Sequence, residues 1–328
     1  SILEATHIQL PPESIDGGAA DGSLEIDCEI IQGTFPDGTA SPLRKPNVGV
    51  DWGELGSVEG RIASGIRVGP PLIGLGLLEA IPEVAIRANA DPDDSDGDGI
   101  SGRASTVDSP TLGPGVLGRF GAKANVASVE DQAAIAYLLD LGNTTDIHPD
   151  ENCPTPQVAC SIAASGGTPE ISADRFGDVV FYTQTLAVPS RAFADDESVV
   201  EGETLFEGLG CTTCHIKRWE TSDHEIPAVS NQVIYPYTDL LLHDMGTGLS
   251  DGRTDGDASA TEWKTPALWG LGLTRSVNAR AGFLHDGRAR SIEEAILWHG
   301  GEAARARDSF KELSAENRSL VLIFLKSL

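Results

Sequence analysis

The run Cys211-Thr-Thr-Cys214-His215 constrains this chain more than any other feature. Two thiols at this spacing can add across the vinyl groups of a porphyrin, and the adjoining histidine can reach the iron as proximal ligand. Two other uses of such a pair stay open, a thioredoxin-like redox couple and half of a zinc site. The first normally follows a strand of a βαβ unit, whereas a helical pattern and Gly208-Leu-Gly210 come before this motif. The second needs another Cys/His pair at matching spacing, and the sequence has none. One haem c, bound through Cys211, Cys214 and His215, is therefore expected. Its attachment belongs outside the cytosol, so the chain is expected to be an exported, periplasmic bacterial protein.

A length of 328 residues suits two domains, and 40% apolar with 22% charged residues lets both bury cores. The net charge of −27 disfavours nucleic acid and anionic membrane surfaces and favours cationic protein partners or divalent metals. No apolar run reaches the length of a membrane span, and residue 1 opens no signal-peptide pattern, so the chain reads as mature and soluble. Cys153 and Cys160 bracket a Pro-containing loop and are expected to close a disulfide in an oxidising compartment. Cys28 is left over, either a buried free thiol or one that pairs outside the chain.

Helical signals dominate. They cover Ser128 to Leu141, Ser172 to Leu186, Glu201 to Gly210, a capping box at Ser291 leading through Trp298, and a last helix capped by Ser314. Leu320, Ile323, Phe324 and Leu328 of that last helix are available for a core. Residues 1 to 60 show no sustained period and read as loops with short strands. Pro70-Pro-Leu-Ile-Gly-Leu-Gly-Leu77 matches Pro266-Ala-Leu-Trp-Gly-Leu-Gly-Leu273, and the opening of the Ser128 helix matches that of the Ser314 helix. Such a repeat suggests a duplicated domain. The expected fold is mainly α: two cytochrome c-like domains, 1–190 and 191–328, with long loops and few short strands. Only the second copy carries the Cys-x-x-Cys-His motif, so a second haem segment is expected upstream in the full protein.

In Asp91-Pro-Asp-Asp-Ser-Asp-Gly-Asp-Gly-Ile100, Asp94, Asp96 and Asp98 alternate as in a calcium loop, and Ile100 can offer its carbonyl. The twelfth position is Ser105 rather than a bidentate glutamate, so the loop is not a complete EF-hand. Carboxylates this crowded repel one another unless a cation neutralises them. Ca²⁺ is the expected occupant, and a plain acidic turn is the other reading.

Further segments carry a resemblance. They are Gly74-Leu-Gly-Leu-Leu-Glu-Ala-Ile81, Asp94-Ser-Asp-Gly-Asp-Gly-Ile-Ser-Gly-Arg103, Pro236-Tyr-Thr-Asp-Leu-Leu-Leu-His-Asp-Met-Gly246, Glu262-Trp-Lys-Thr-Pro-Ala-Leu-Trp-Gly270 and Phe283-Leu-His-Asp-Gly-Arg-Ala-Arg290. With them, the chain from Pro42 onward resembles the di-haem oxidoreductase (thiol oxidoreductase-like) family of the bacterial di-haem cytochrome c peroxidase superfamily. The resemblance implies two cytochrome c-like domains with facing haems. The C-terminal haem would transfer electrons from a donor protein, and the N-terminal haem would meet a small oxidant such as peroxide. It also implies His299 as the sixth iron ligand, with Met245, the only methionine, as the rival. A non-catalytic, mono-haem electron carrier with a structural calcium is the alternative function.

Several residues keep two readings. Arg288 and Arg290 could fork onto haem propionates or pair with acids. His285 could bond near the haem edge or be a core histidine. Trp269 and Trp298 read as haem packing or electron relay, and Glu79 as an acid facing the missing haem or an ordinary first-turn charge. His7, His148 and His224 read as surface residues.

Overall fold

The computed structural model describes residues 23–51, 65–153, 160 and 162–328. His7 lies outside them. Among the described residues, nine α-helices are joined by long loops and by four two-stranded antiparallel pairs. The mainly helical expectation is met. No helix among the described residues is long and apolar enough to cross a membrane.

The chain opens with a hairpin of β1 (Ser23–Ile31) and β2 (Leu43–Asp51), whose nine-residue strands pair from Ser23 with Asp51 to Ile31 with Leu43. These strands are longer than expected. The cause is legible afterwards: Leu24, Ile26, Cys28 and Ile30 alternate with Glu25, Asp27 and Glu29, a period of two. Cys28 is exposed there, not buried.

Two short helices, α1 (Leu75–Glu79) and α2 (Glu83–Arg87), precede the acidic loop. The pair β3 (Ser105–Ser109) and β4 (Gly113–Gly118) leads into α3 (Val129–Asp140), and α4 (Ala173–Thr185) follows. The second half has α5 (Glu197–Gly208), β5 (Trp219–Glu220) with β6 (Val233–Ile234), and β7 (Leu242–Asp244) with β8 (Glu262–Lys264). Then come α6 (Thr274–Val277), α7 (Ile292–Trp298), α8 (Ala304–Glu312) and α9 (Ala315–Ser327). Helix α5 starts four residues before the expected Glu201 because the Asp196 side chain accepts the Ser198 N–H as an N-cap.

The Gly/Leu repeat is a repeat of geometry as well as of letters. Gly74 N–H donates to Leu186 O at the end of α4, and Gly270 N–H donates to Leu328 O at the end of α9. Both glycines have positive φ, 71° and 75°, where a side chain would be strained. The two turns also interlock. A Cβ on Gly74 would lie 2.4 Å from the Trp269 ring, and one on Gly270 would lie 2.7 Å from Ile73, the residue matching Trp269.

The helix match differs from the one read in the sequence. Ser128 corresponds to Ser291, not to Ser314. Each follows a loop closed by a bridge, Phe120 with Val126 and Phe283 with Ala289, and each caps its helix by accepting the N–H three residues on. Helix α9 instead matches α4. Ser172 to Leu186 and Ser314 to Leu328 have the same length and end on the same glycine turn. The serine cap is common to α3, α7 and α9, so it could not choose between α7 and α9 as the match for α3.

One core unites Leu75, Leu78, Ile81, Phe120 and Val129 of the first half with Trp219, Leu240, Leu241 and Trp269 of the second. A second core, with Phe206 of α5 and Val321, Phe324 and Leu325 of α9, underlies the Cys-x-x-Cys-His segment. Ile323, expected in it, is 38% exposed because it lies on the opposite face of α9 from Phe324 and Val321.

Candidate haem site

Helix α5 delivers the motif. Its last turn passes through Gly210, at φ 82°, into a 3₁₀ turn of Cys211–Thr213 that leaves both cysteines partly buried. The His215 N–H donates to Cys211 O, which folds the histidine back over the turn. His215 Nδ1 then lies 2.9 Å from Tyr237 O. A carbonyl only accepts, so Nδ1 carries the proton and Nε2 keeps its lone pair for a metal. Phe206 flanks the ring at 6.1 Å and Phe324 packs on Phe206 at 5.2 Å.

His299 repeats this arrangement from the other side of the sequence. It is the C-cap of α7, where Gly300 and Gly301 turn the chain away, and its Nδ1 donates to Ala295 O at 2.8 Å. Its Nε2 is likewise left as a donor to metal. Burial holds both imidazoles neutral, His215 down to about 4 and His299 below the usual histidine range. The proximity of each charge to the other adds to the lowering at His215. Met245, the rival ligand, sits among Trp263, Trp298 and Leu249, and its backbone carbonyl presses on Gly300.

Burial pushes Cys211 up to about 12 and raises Cys214 as well. A thioredoxin-like pair needs the reverse shift, because its attacking cysteine must be a thiolate. Cysteines 153 and 160 are joined, as expected.

One constellation was missed. His243, 3% exposed, lies between two carboxylates: Nε2 is 2.8 Å from Asp239 and Nδ1 is 2.7 Å from Glu302. Both ring nitrogens face acceptors, so both donate and the ring is an imidazolium. Its pKa is raised to about 12, the carboxylates outweighing burial. Nδ1 also lies 3.6 Å from the Cys214 sulfur. Glu302 in turn accepts from Ser101 N–H and Oγ–H at 3.0 Å each, so the acidic loop is linked to Cys214 through this ion triad. Gly102 allows the approach, since a Cβ there would be 2.5 Å from the His243 ring. His243-Asp-Met-Gly246 stood out as a motif and Asp239 lies four residues before it, but Glu302 reaches it only through the tertiary fold.

The acidic loop has the geometry of its sequence. Asp94, Asp96 and Asp98 each place a carboxylate oxygen within 4.8 Å of the others. Asp94 accepts Gly99 N–H and Asp98 accepts Ile100 N–H, while Asp91 N–H closes the loop onto Gly102 O.

The arginines pair with protein groups. Arg288 Nε binds Asp286 at 2.8 Å, Nη1 donates to Gly248 O, and the guanidinium lies over the Trp298 ring at 4.6 Å. Arg290 is held by Glu294 and by Pro42 O. His285 stacks on Trp263 with centroids 3.6 Å apart, and Lys123 Nζ lies 4.0 Å from the centre of the same indole. Glu79 accepts Val129 N–H and Gln184 Nε2–H, tying α3 to α4. His224 and His148 hold loop hydrogen bonds away from the cysteines.

The Cys-x-x-Cys-His turn that follows α5, with His215 Nδ1 held by Tyr237 O and Nε2 left open, has the donor set of a c-type haem site. The family model described as "Di-haem oxidoreductase, putative peroxidase" matches residues 16–328, and the chain belongs to that family. It is 24% identical over 212 residues to cytochrome c551 peroxidase of Nitrosomonas europaea, an alignment covering 61% of this chain. The chain spans 58% of that relative's length. A solved hydrazine synthase of Kuenenia stuttgartiensis is similar at 20% identity over 48% of this chain and 56% of the other, with a TM-score of 0.31.

Proposed function

We propose that this chain is a periplasmic c-type haem oxidoreductase of the peroxidase kind, whose C-terminal haem passes electrons to a second haem site. The observation that carries the reading is the pair of imidazoles, His215 and His299. Each is neutral and each has Nδ1 tied to a backbone carbonyl, beside two protonated thiols free to become thioethers. That donor set fits haem c and does not fit a closed zinc site. When bound, the haem supplies one-electron oxidation and reduction. The chain orients His215 through Tyr237 O and His299 through the end of α7. Phe206, tilted against the His215 ring, packs with Tyr237 and Phe324 into an aromatic cluster that excludes water.

A second haem is supported by an exposed face of α4. Phe181 and Tyr182 are 58% and 63% exposed, and they occupy the positions of Ile323 and Phe324 in α9. Phe324 is covered by α5, the helix that carries the cysteines. A helix like α5, bearing its own Cys-x-x-Cys-His, would be the counterpart for this face, which none of the described residues supplies. On this reading 1–190 and 191–328 are two cytochrome c-like domains. The acidic loop of Asp94, Asp96, Asp98 and the Ile100 carbonyl would hold Ca²⁺. The Nitrosomonas relative is named as a peroxidase, which suggests peroxide as the oxidant, and the charge of −27 suits a cationic electron-donor protein.

Intact mass and absorption spectra of the full protein, exported with haem maturation, test the proposal. One haem mass on this chain and a second upstream support it, together with peroxide consumption by the reduced protein. A single haem in the whole protein without peroxide turnover leaves the electron carrier. No covalent haem at all sinks both.

A further inference from the structure

The haem that the proposed function requires carries two carboxylates, and the arginines that could have bound them make their hydrogen bonds to protein groups. Arg290 directs Nε and Nη2 to Glu294 and Pro42 O, and Arg288 directs Nε and Nη1 to Asp286 and Gly248 O. Two other groups are not engaged. Among the described residues, buried Trp298 Nε1 and buried His285 Nε2 have no hydrogen-bond partner. The nearest acid to His285 Nε2 is Asp286 at 3.8 Å, beyond hydrogen-bonding range.

An unpaired indole N–H in a packed interior is costly, and two other buried tryptophans among the described residues avoid it. Trp219 Nε1 donates to Thr238 O at 2.7 Å and Trp263 Nε1 to Leu249 O at 3.0 Å. Trp298 is as buried as these, at 8% exposure, yet its donor is spare. It directly precedes His299, its ring is backed by Gly248, and Arg288 lies across it. His285 belongs to the same local cluster, through the loop Phe283–Ala289 and its stacking on Trp263. The positive Arg288 guanidinium, only partly offset by Asp286, makes this a place that accepts an anion's oxygen.

We infer that Trp298 Nε1–H and His285 Nε2 are the hydrogen-bonding anchors of the haem propionates, with Arg288 acting as a positioning residue behind the indole rather than as the direct ligand. This inference rests on the haem reading above. It assigns the carboxylate-bearing edge of the cofactor to the loop before α7 and to the end of that helix. A hydrogen bond there offsets the carboxylate's negative charge, which otherwise favours ferric iron. The bond therefore sets the potential as well as the seat.

The test uses the whole exported protein in three forms: wild type, Trp298→Phe, and a version with benzothienylalanine at position 298. The last replaces only the indole N–H by sulfur and guards against a packing defect in the phenylalanine variant. Intact mass first shows that each form carries its covalent haem. Resonance Raman should then show the propionate-bending band displaced in both altered proteins, and redox titration should show their midpoint potentials lowered. Arg288→Lys, which keeps the charge behind the ring, should move the band less. A band and a potential that stay at wild-type values in haem-loaded benzothienylalanine protein overturn the inference and leave the haem reading intact. Absence of haem mass in the wild type takes down both.

Discussion

The two halves of the chain share a backbone and differ in chemistry. The loop closed by Phe120 and Val126 and that closed by Phe283 and Ala289 bridge in the same way and end in the same serine cap. Where the second loop carries His285, Asp286 and Arg288, the first carries Ala122, Lys123 and Asn125. Where α7 ends in Trp298 and His299, α3 has Ile135 and Ala136. The aromatic face that α5 covers on α9 is left open on α4. Glycine turns, bridges and caps recur in both halves, whereas at these matched positions His285, Asp286, Arg288, Trp298 and His299 stand in the second half alone. A duplicated scaffold constrains what the backbone must do and leaves the side chains over the cofactor free to diverge.

The largest expected effect follows from removing the second half's distinguishing feature. Cys211→Ser with Cys214→Ser should abolish covalent haem on this chain, seen as loss of the haem mass and of the Soret band in denatured protein. Retention of haem mass would place the attachment elsewhere and dissolve the contrast between the halves.

The ligand is the next point to press. His299→Met should raise the midpoint potential, because a thioether favours ferrous iron. Met245→Leu should leave the low-spin spectrum unchanged. The opposite pattern would transfer the sixth position to Met245.

The junction of the halves should be the costliest place to lose a charge. His243→Ala leaves Asp239 and Glu302 buried without their cation, and such a loss costs about 3–5 kcal/mol. Its pH dependence has a definite sign. The folded-state pKa of His243 is raised to about 12 from 6.5, so its contribution is fully present below pH 6.5 and declines as pH rises toward 12. Wild-type melting temperature should fall relative to His243→Gln across that window. Parallel profiles would show that the triad is not an ion pair in the fold.

Smaller effects sharpen the first half. Calcium at about 100 times its dissociation constant should stabilise by about 2.7 kcal/mol, and a chelator should remove this. Asp96→Ala should make melts with and without calcium coincide. An equal response in that variant would move the ion away from the loop. Smaller still, reducing the Cys153–Cys160 bond should cost about 2.5 kcal/mol for so short a loop. A melt unchanged by Cys153→Ser with Cys160→Ser would mean that the linkage restrains little.

Much of this protein is legible one segment at a time. The helix from Ser291 to Trp298 is written in its capping box and its glycine stop, and the haem motif in five consecutive residues. The acidic loop is legible too, because Asp94, Asp96 and Asp98 meet through backbone turns within the same ten residues. Chemistry that depends on neighbours in sequence can be read from the sequence, since local geometry follows from local dihedrals and caps.

What the sequence could not decide depends on groups brought together from afar. Glu302 is 59 residues from His243 and shares its proton only because β7 and the turn after α7 meet. The fates of Arg288 and Arg290 were open because acids, carbonyls and a cofactor's carboxylates offer an arginine the same chemistry, and only packing places one of them nearest. The pairing of α9 with α4 was hidden for a related reason. A serine stands before α3, α4, α7 and α9 alike, so the discriminating observation is where each helix ends: on the carbonyl that Gly74 or Gly270 meets. Local dihedral preferences write the elements, and long-range burial and hydrogen bonding decide which of their side chains face one another.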